Sequence, residues 1–376
     1  MCLIKKLMIV VLLICTFAGC GNEQPSASSS GPFVHVVYLD AINYSLKYAT
    51  NKSGSWVTQV LDDQGDSTGF FPSIAIDKNN KLHVSYYDLD TTALKYISNK
   101  SGVWVKQVVD DGGTNNVGWY NSIAVDSENK PYISYYSANN QDLKMAFINS
   151  STGQWAISTV DSADQVGEFS SMAIDYLDRI HISYYDRTNN RLKRAMYYPG
   201  TGFSFTTDFG KLPDGVTEGG IMPNEGQTSI AVDSEGHSYI AFYYFDNLHQ
   251  EFGLKYAQMV NIWRTRFLDS DGKVGSYNSI DIDQSNNFHI SYFDRTNDKL
   301  KYATGSFDYL STTEIDNVLL AEKTSIKADK KGFAHITYFV LGSGLKYATN
   351  KNGVWANEFV DQGGNVGQYC SMALSY

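Results

Sequence analysis

Ser122-Ile-Ala-Val-Asp126, Tyr132-Ile-Ser-Tyr-Tyr136, Leu143-Lys-Met-Ala-Phe147 and Trp155-Ala-Ile-Ser-Thr-Val160 follow one another with only short polar gaps between them. Each alternates small or polar residues with Ile, Val, Tyr or Phe, and Asn, Asp, Gly and Ser bound them, which is the pattern of short strands. Helical periodicity is almost absent. Named A, B, C and D in chain order, the four segments recur throughout. Segment A begins at Ser73, Ser122, Ser171, Ser229, Ser279, Ser325 and Ser371, and B begins at His35, His83, Tyr132, His181, Tyr239, His289 and His335. A Leu-Lys pair marks C at Leu46, Leu94, Leu143, Leu192, Leu254, Leu300 and Leu345; the steps are 45 to 49 residues except for one of 62 between Leu192 and Leu254.

A four-strand unit with a period in the forties cannot bury its faces alone, and seven units arranged radially make an all-β, seven-bladed β-propeller of four-stranded antiparallel blades. The chain opens on a B segment and ends on an unaccompanied A segment, Ser371 to Ser375. The C-terminal strand is therefore expected to pair with the N-terminal strands, closing the ring and removing two exposed sheet edges. One domain, residues 32–376, follows from this closure in spite of the length of 376 residues.

Residues 1–19 read as a secretion signal: Lys5 and Lys6 at the start, an apolar run from Leu7 to Phe17, then Ala18-Gly19. Phe17-Ala18-Gly19-Cys20 resembles the lipobox of bacterial lipoproteins, with Phe17 where Leu is usual. The resemblance implies cleavage before Cys20, acylation of that Cys with chains such as palmitate, and an extracytoplasmic, lipid-anchored protein in the cell envelope. Gly21, not being Asp, implies sorting to the outer membrane in a Gram-negative cell. Residues 20–31, with Pro25 and four Ser, suit a flexible tether.

Loss of Lys5 and Lys6 takes the formal charge from -10 to -12, which argues against nucleic acid and against anionic lipid surfaces. A monomer is expected. The mature chain keeps Cys20 and Cys370 and so has no disulfide framework. Cys370 fills the slot of Asn121, Ser170, Thr228 and Asn278 in other repeats, and reads as a half-buried small residue.

Asp closes every D segment, at Asp62, Asp110, Asp161, Asp208, Asp269, Asp316 and Asp361, 14 to 17 residues after the Lys of C. A cross-strand ion pair inside each blade is the expectation, with a ring of carboxylates for calcium as the alternative. His83, His181, His289 and His335 each follow an Asp by six positions, at Asp77, Asp175, Asp283 and Asp329. A His–Asp hydrogen bond across each A–B turn explains them better than a metal, whose ligands must converge on one point, so neither a metal site nor another cofactor is expected.

The C–D turns Asn51-Lys-Ser-Gly-Ser-Trp56, Asn99-Lys-Ser-Gly-Val-Trp104, Ser150-Ser-Thr-Gly-Gln-Trp155 and Asn350-Lys-Asn-Gly-Val-Trp355 resemble a degenerate Asp-box, the hairpin of sialidase-type propellers, without its Asp. The resemblance implies Gly at positive φ and Trp between blades. It does not extend to the three arginines and Tyr/Glu pair of those enzymes: Arg is sparse, and Arg187 and Arg295 lie in near-identical Asp-Arg-Thr-Asn turns.

Two places break the repeat on the face where D–A and B–C connections emerge. The longer loops of the fifth blade bring together Lys211, Asp214, Glu218, Asn224, Glu225, Asp246, Asn247, His249, Gln250 and Glu251, among which His249 and Glu251 are weak candidates for acid/base partners. An aromatic collar precedes the A segments at Phe71, Tyr120, Phe169, Tyr277 and Tyr369, with Gln227 and Lys323 in the other two units; its rings suit sugar stacking if exposed and blade packing if buried. Together these features suggest a propeller that binds a glycan or protein partner through its top-face loops without chemistry of its own. The alternative is a glycan hydrolase or lyase of sialidase-like type with its site over the fifth blade.

Overall fold

A computed structural model describes residues 31–376 apart from 66, 199–205, 208–218, 221–227, 247–250 and 320. Residues 1–30, which hold the expected signal, Cys20 and most of the expected tether, lie outside that set. The described residues form seven antiparallel sheets, and no helix occurs among them. Blade 3 is representative: A is Val117–Val125, B Pro131–Ser137, C Asp142–Ile148 and D Trp155–Asp161, hydrogen-bonded in that order. Blade 1 is built from both ends of the chain. Its inner strand, Val366–Ser375, pairs with Phe33–Asp40 in the register Phe33↔Ser375 to Val37↔Ser371, as the order of segments predicts.

Every main apolar cluster spans two adjacent blades. Leu46 and Tyr48 of blade 1 pack with Ile74, Val84 and Tyr86 of blade 2, for example, and Leu345 and Val360 of blade 7 with Val36, Tyr38 and Met372 of blade 1. The B strands, such as Ile180–Asp186, are buried along their whole length because both faces are covered by neighbours.

Three contacts set the spacing of the blades. Around the channel, the Ser that opens each A segment accepts a hydrogen bond from the backbone N–H of the next blade: Ile123 to Ser73, Met172 to Ser122, Ile230 to Ser171, Ile280 to Ser229, Ile326 to Ser279, Met372 to Ser325 and Ile74 to Ser371, all at 3.0–3.2 Å. Midway out, the Leu of a Leu-Lys pair meets a glycine of the following blade in five seams, at Gly69, Gly118, Gly167, Gly275 and Gly367. A Cβ on Gly118, Gly167 or Gly275 would stand 2.9, 2.7 or 2.7 Å from the Cα of Leu94, Leu143 or Leu254. These glycines also have φ of 108–109°, so two constraints demand glycine at once.

Toward the rim, the structure corrects the expected ion pair. Leu46, not Lys47, stands opposite Asp62. The Asp ending each described D strand instead serves the next blade: Tyr184 donates to Asp161 Oδ2 at 2.7 Å and Lys193 at 2.8 Å, and Tyr338 and Lys346 do the same to Asp316. Asp62 takes Tyr86 and Lys106, leaving Lys95 to Asp88 of its own blade. The reason is a bulge near the end of D, where Leu61 or Val109 is the extra residue, which sets the Asp opposite the Leu rather than on the face of the Lys. Burial opposes the charge on Asp161, but hydrogen bonds from Lys193, the Ala163 N–H and Tyr184 outweigh it and hold the carboxyl below its ordinary range.

Removal of residues 367–376 should leave Ile74 without its acceptor and Phe33–Asp40 without its partner. The expected result is a melting temperature lowered by more than about 10 °C or no cooperative transition at all, read by circular dichroism; an unchanged midpoint would contradict closure. Gly167→Ala should cost at least about 1–3 kcal/mol in a urea titration through strain and overlap with Leu143.

Candidate functional site at the channel mouth

In five units a Gly-x-aromatic motif leads into the A segment and forms a bulge; in blade 3 pairing with B shifts register between Val117 and Trp119 and again between Trp119 and Ser122. The collar residue, two after the glycine or, for Lys323, two after Ala321, takes a left-handed conformation: φ is 50° at Phe71, 49° at Tyr120, 54° at Phe169, 51° at Tyr277, 54° at Lys323 and 52° at Tyr369. Such φ values in bulky residues are strained, and here the bulge turns the side chain toward the channel axis.

Four of these rings touch in sequence around the mouth. Centroids lie 4.7 Å apart for Tyr369 and Phe71, 5.0 Å for Phe71 and Tyr120, and 4.5 Å for Tyr120 and Phe169, in tilted pairs. Trp119 adds a further face 6.0 Å from Phe71. They surround a cavity of about 370 Å³ that also meets Phe70, Tyr87, Leu89, Tyr277 and Lys323. The collar therefore packs blade to blade, yet all but Phe169 stay half-exposed. The buried Tyr87 hydroxyl faces Trp119 and Asn116 in a geometry that completes no hydrogen bond.

Charged groups flank the rings. Arg187 grips the buried Glu168 through Nε at 3.0 Å to both carboxylate oxygens and Nη2 at 2.7 Å, and both lie beside Tyr120. Arg295 holds its guanidinium 5.1 Å from the Tyr277 ring centre. The two Asp-Arg-Thr-Asn turns thus aim their arginines at the collar, which their sequence likeness alone did not reveal. Lys323 lines both the mouth and the channel behind it. Burial holds its ammonium down at about 8, with nearby Cys370 acting in the opposite sense. Cys370 itself is fully buried, and burial pushes its thiol up to about 11, the behaviour of a packed side chain rather than a nucleophile.

Of the fifth-blade cluster, Lys211, Asp214, Glu218, Asn224, Glu225, Asn247, His249 and Gln250 lie outside the described residues. B runs on to Asp246 and C starts at Glu251, directly opposite in register, so the connection is shorter than the sequence suggests. Gly219–Gly220 adds a strand beside Phe245 and Asp246. Glu251 is exposed.

The far end of the barrel holds the histidines. His83, His181, His289 and His335 meet Asp77, Asp175, Asp283 and Asp329 at 3.0–3.5 Å, as the six-residue spacing predicts. Tyr239 takes the same place through Asp233 at 2.7 Å, and His35, at the chain junction, meets Ser375 at 2.8 Å. Among the described residues, no three His, Cys, Asp or Glu side chains converge as metal ligands would.

No family model matches the sequence, and no curated protein matches it. Solved structures do resemble its fold. The polysaccharide lyase Uly1 is 11% identical, with a TM-score of 0.54 over 84% of this chain and 87% of its own. AofleA from Arthrobotrys oligospora is 13% identical, with a TM-score of 0.53 over 81% and 88%. A putative 6-phosphogluconolactonase from Bacteroides uniformis is 9% identical, with a TM-score of 0.53 over 91% and 99%. At such identities the likeness is one of architecture.

Burial holds His35 at about 4, helped by Lys52, and burial outweighs the Asp partner to lower His83, His181 and His335. The unfolded chain therefore binds more protons than the folded one below the ordinary His pKa of about 6.5. This stabilisation is complete above about pH 6.5 and declines as pH falls toward 4. Urea midpoints should be flat from pH 7 to 8 and drop between 6.5 and 4, with a shallower drop in His35→Gln; an equal slope in the two proteins would contradict the assignment.

Proposed function

We propose that this chain is a lipid-anchored, extracytoplasmic propeller that binds a glycan at the aromatic mouth of its channel. The observation that carries the proposal is the strained collar itself. Six blades hold the same left-handed backbone at this position, and the side chains it projects surround a concave cavity within the size range of ligand sites. Tyr, Trp and Phe faces offer flat apolar surfaces to the C–H faces of a pyranose ring, while tyrosine hydroxyls accept or donate at their edges. A small concave mouth suits a sugar better than a flat protein surface. A polysaccharide lyase uses the same architecture, but the ligand class is inferred from the collar.

Anchoring rests on Phe17-Ala18-Gly19-Cys20 and the polar tether behind it, which set the propeller free of the membrane surface. The envelope is the corresponding location, and the outer membrane where there are two.

A glycan array probed with the fragment starting at Gly31, with and without calcium, tests the binding. Phe71→Ala and Trp119→Ala should each weaken the best ligand roughly tenfold or more while the fold persists by circular dichroism. Ligands insensitive to both variants would overturn the mouth as the site, and a loss confined to His249→Ala or Glu251→Ala would favour the fifth blade and an enzyme. Cys20→Ser should move the protein from the membrane fraction to the soluble fraction and remove its acyl mass; persistence in the membrane would refute the anchor.

A further inference from the structure

The C–D turns lie at the end of the barrel opposite the mouth. In blades 1, 2 and 7 the Asn of the turn accepts a hydrogen bond at 2.8 Å from a backbone N–H near the start of strand B: Val34 to Asn51, Leu82 to Asn99 and Ala334 to Asn350. The next residue, Lys52, Lys100 or Lys351, is exposed and stands close enough to the buried His of its blade to oppose that ring's protonation. The A–B turns at the same end add exposed Lys330 and Lys331 in blade 7, and exposed Lys78 with half-buried Lys81 in blade 2. Tyr376 ties these two turns together. Its hydroxyl accepts from the Lys330 N–H at 3.1 Å, its main-chain oxygen accepts from Asn80 Nδ2 at 3.3 Å, and the Lys330 ammonium lies 3.8 Å from its ring centre.

Three successive blades thus present seven lysines at one end, and none of the seven forms an ion pair with a described carboxylate. The carboxylates nearby are already engaged. Asp77 and Asp329 are buried and cap the backbone N–H groups of their own turns at 2.8–2.9 Å. Asp281 pairs with Lys327 at 3.3 Å, and Glu358 takes the Trp56 indole at 2.8 Å. The chain-terminal carboxylate of Tyr376 is the remaining one. The equivalent A–B turns of blades 3 to 5 carry Glu128, Asp178 and Glu235 instead, so the lysines are segregated to one sector.

We propose that this basic sector is the membrane-facing surface of the propeller, its lysines meeting the phosphates of anionic phospholipid headgroups and its mouth turned away from the bilayer. The proposal rests on the anchoring reading, in which the twelve residues 20–31 lead from the acylated Cys20 to this same end. Phe33 opens the first strand here, opposite Ser375, with the Lys52 ammonium 6.0 Å from its ring centre. A fully extended tether of that length spans at most about 40 Å, so an acylated chain keeps this end within reach of the headgroups. The net charge of -10 is an average over the whole chain. Attraction to a charged surface acts within a Debye length of about 8 Å at physiological salt, and over that distance the headgroups meet the lysines, not the acidic remainder.

The test is reconstitution of the full chain with vesicles of phosphatidylcholine alone or with added phosphatidylglycerol, followed by acetylation of accessible lysines and mass spectrometry. The six exposed lysines of this end should react about fivefold or more slowly on anionic than on neutral vesicles, the scale of one lysine at an anionic surface. High salt should remove the difference, and Lys273, exposed at the mouth end, should react alike on both. Lys52→Gln, Lys100→Gln and Lys351→Gln together, all in exposed turns, should bring the protection of Lys330 and Lys331 below about twofold at an unchanged melting temperature. Equal rates on the two vesicles, or protection unchanged in the triple variant, would overturn the proposal, while retention on neutral vesicles would still support the anchor. Retention on anionic vesicles alone, with the lysines protected, would refute the anchor and keep the basic face; retention on neither would overturn both. Protection by a DNA duplex equal to that by anionic vesicles would assign the face to nucleic acid and overturn the lipid.

Discussion

Seven serine hydroxyls, each accepting the backbone N–H of the neighbouring inner strand, form the closed circuit on which the rest of the molecule depends. Inner strands of adjacent blades do not pair as a sheet, so their N–H groups facing the channel would otherwise be left without a partner. A buried donor without an acceptor costs about 1–3 kcal/mol. Serine is short enough to reach across the gap without pushing the blades apart. The circuit includes Ser371 and Ile74, so the C-terminal strand is tied to blade 2 by the same bond as every other seam, while it meets the N-terminal strand by pairing within blade 1.

Outward from that circuit, most described seams add a steric and then an electrostatic contact. Glycine permits the Leu of the preceding blade to touch backbone, and the Asp ending D receives a tyrosine hydroxyl and, in most described seams, a lysine from the next blade. The buried tyrosines that result are difficult to ionise: burial raises Tyr184, and the Asp161 carboxylate raises it further. These bonds run between blades, not within them, which is how a stack of sheets becomes a single ring.

The same bulge that admits the Leu contact produces the collar. Because the backbone strain repeats in six blades while the side chain changes from Phe or Tyr to Lys, the position combines a fixed geometry with variable chemistry. That combination is what a binding surface on a rigid scaffold requires. Asn121, Ser170, Thr228 and Thr324 follow the collar directly and hold the seam below it: Ser170 donates to the Tyr120 carbonyl at 2.9 Å and Thr324 to the Tyr277 carbonyl at 2.9 Å. Function and packing therefore share a backbone but use different side chains.

Alternation, turn residues and the Leu-Lys period were enough to read the blade count, the order of strands and the split blade from the chain alone, because strand periodicity and repeat length are local properties. The His–Asp bonds were equally legible, since a hairpin joins residues six apart. Other features belong to the tertiary structure. Lys47 and Asp62 are close in sequence, yet Lys47 reaches Asp361 at 2.5 Å, in a blade more than 300 positions away, because a one-residue bulge in D sets Asp62 opposite Leu46 instead. Likewise Arg187 and Arg295 share no motif with the aromatic residues, whereas Lys323 stands at their repeat position, and only closure of the ring sets all of them around one mouth. Local pattern determines what each strand is; the curvature of the closed ring decides which side chains meet.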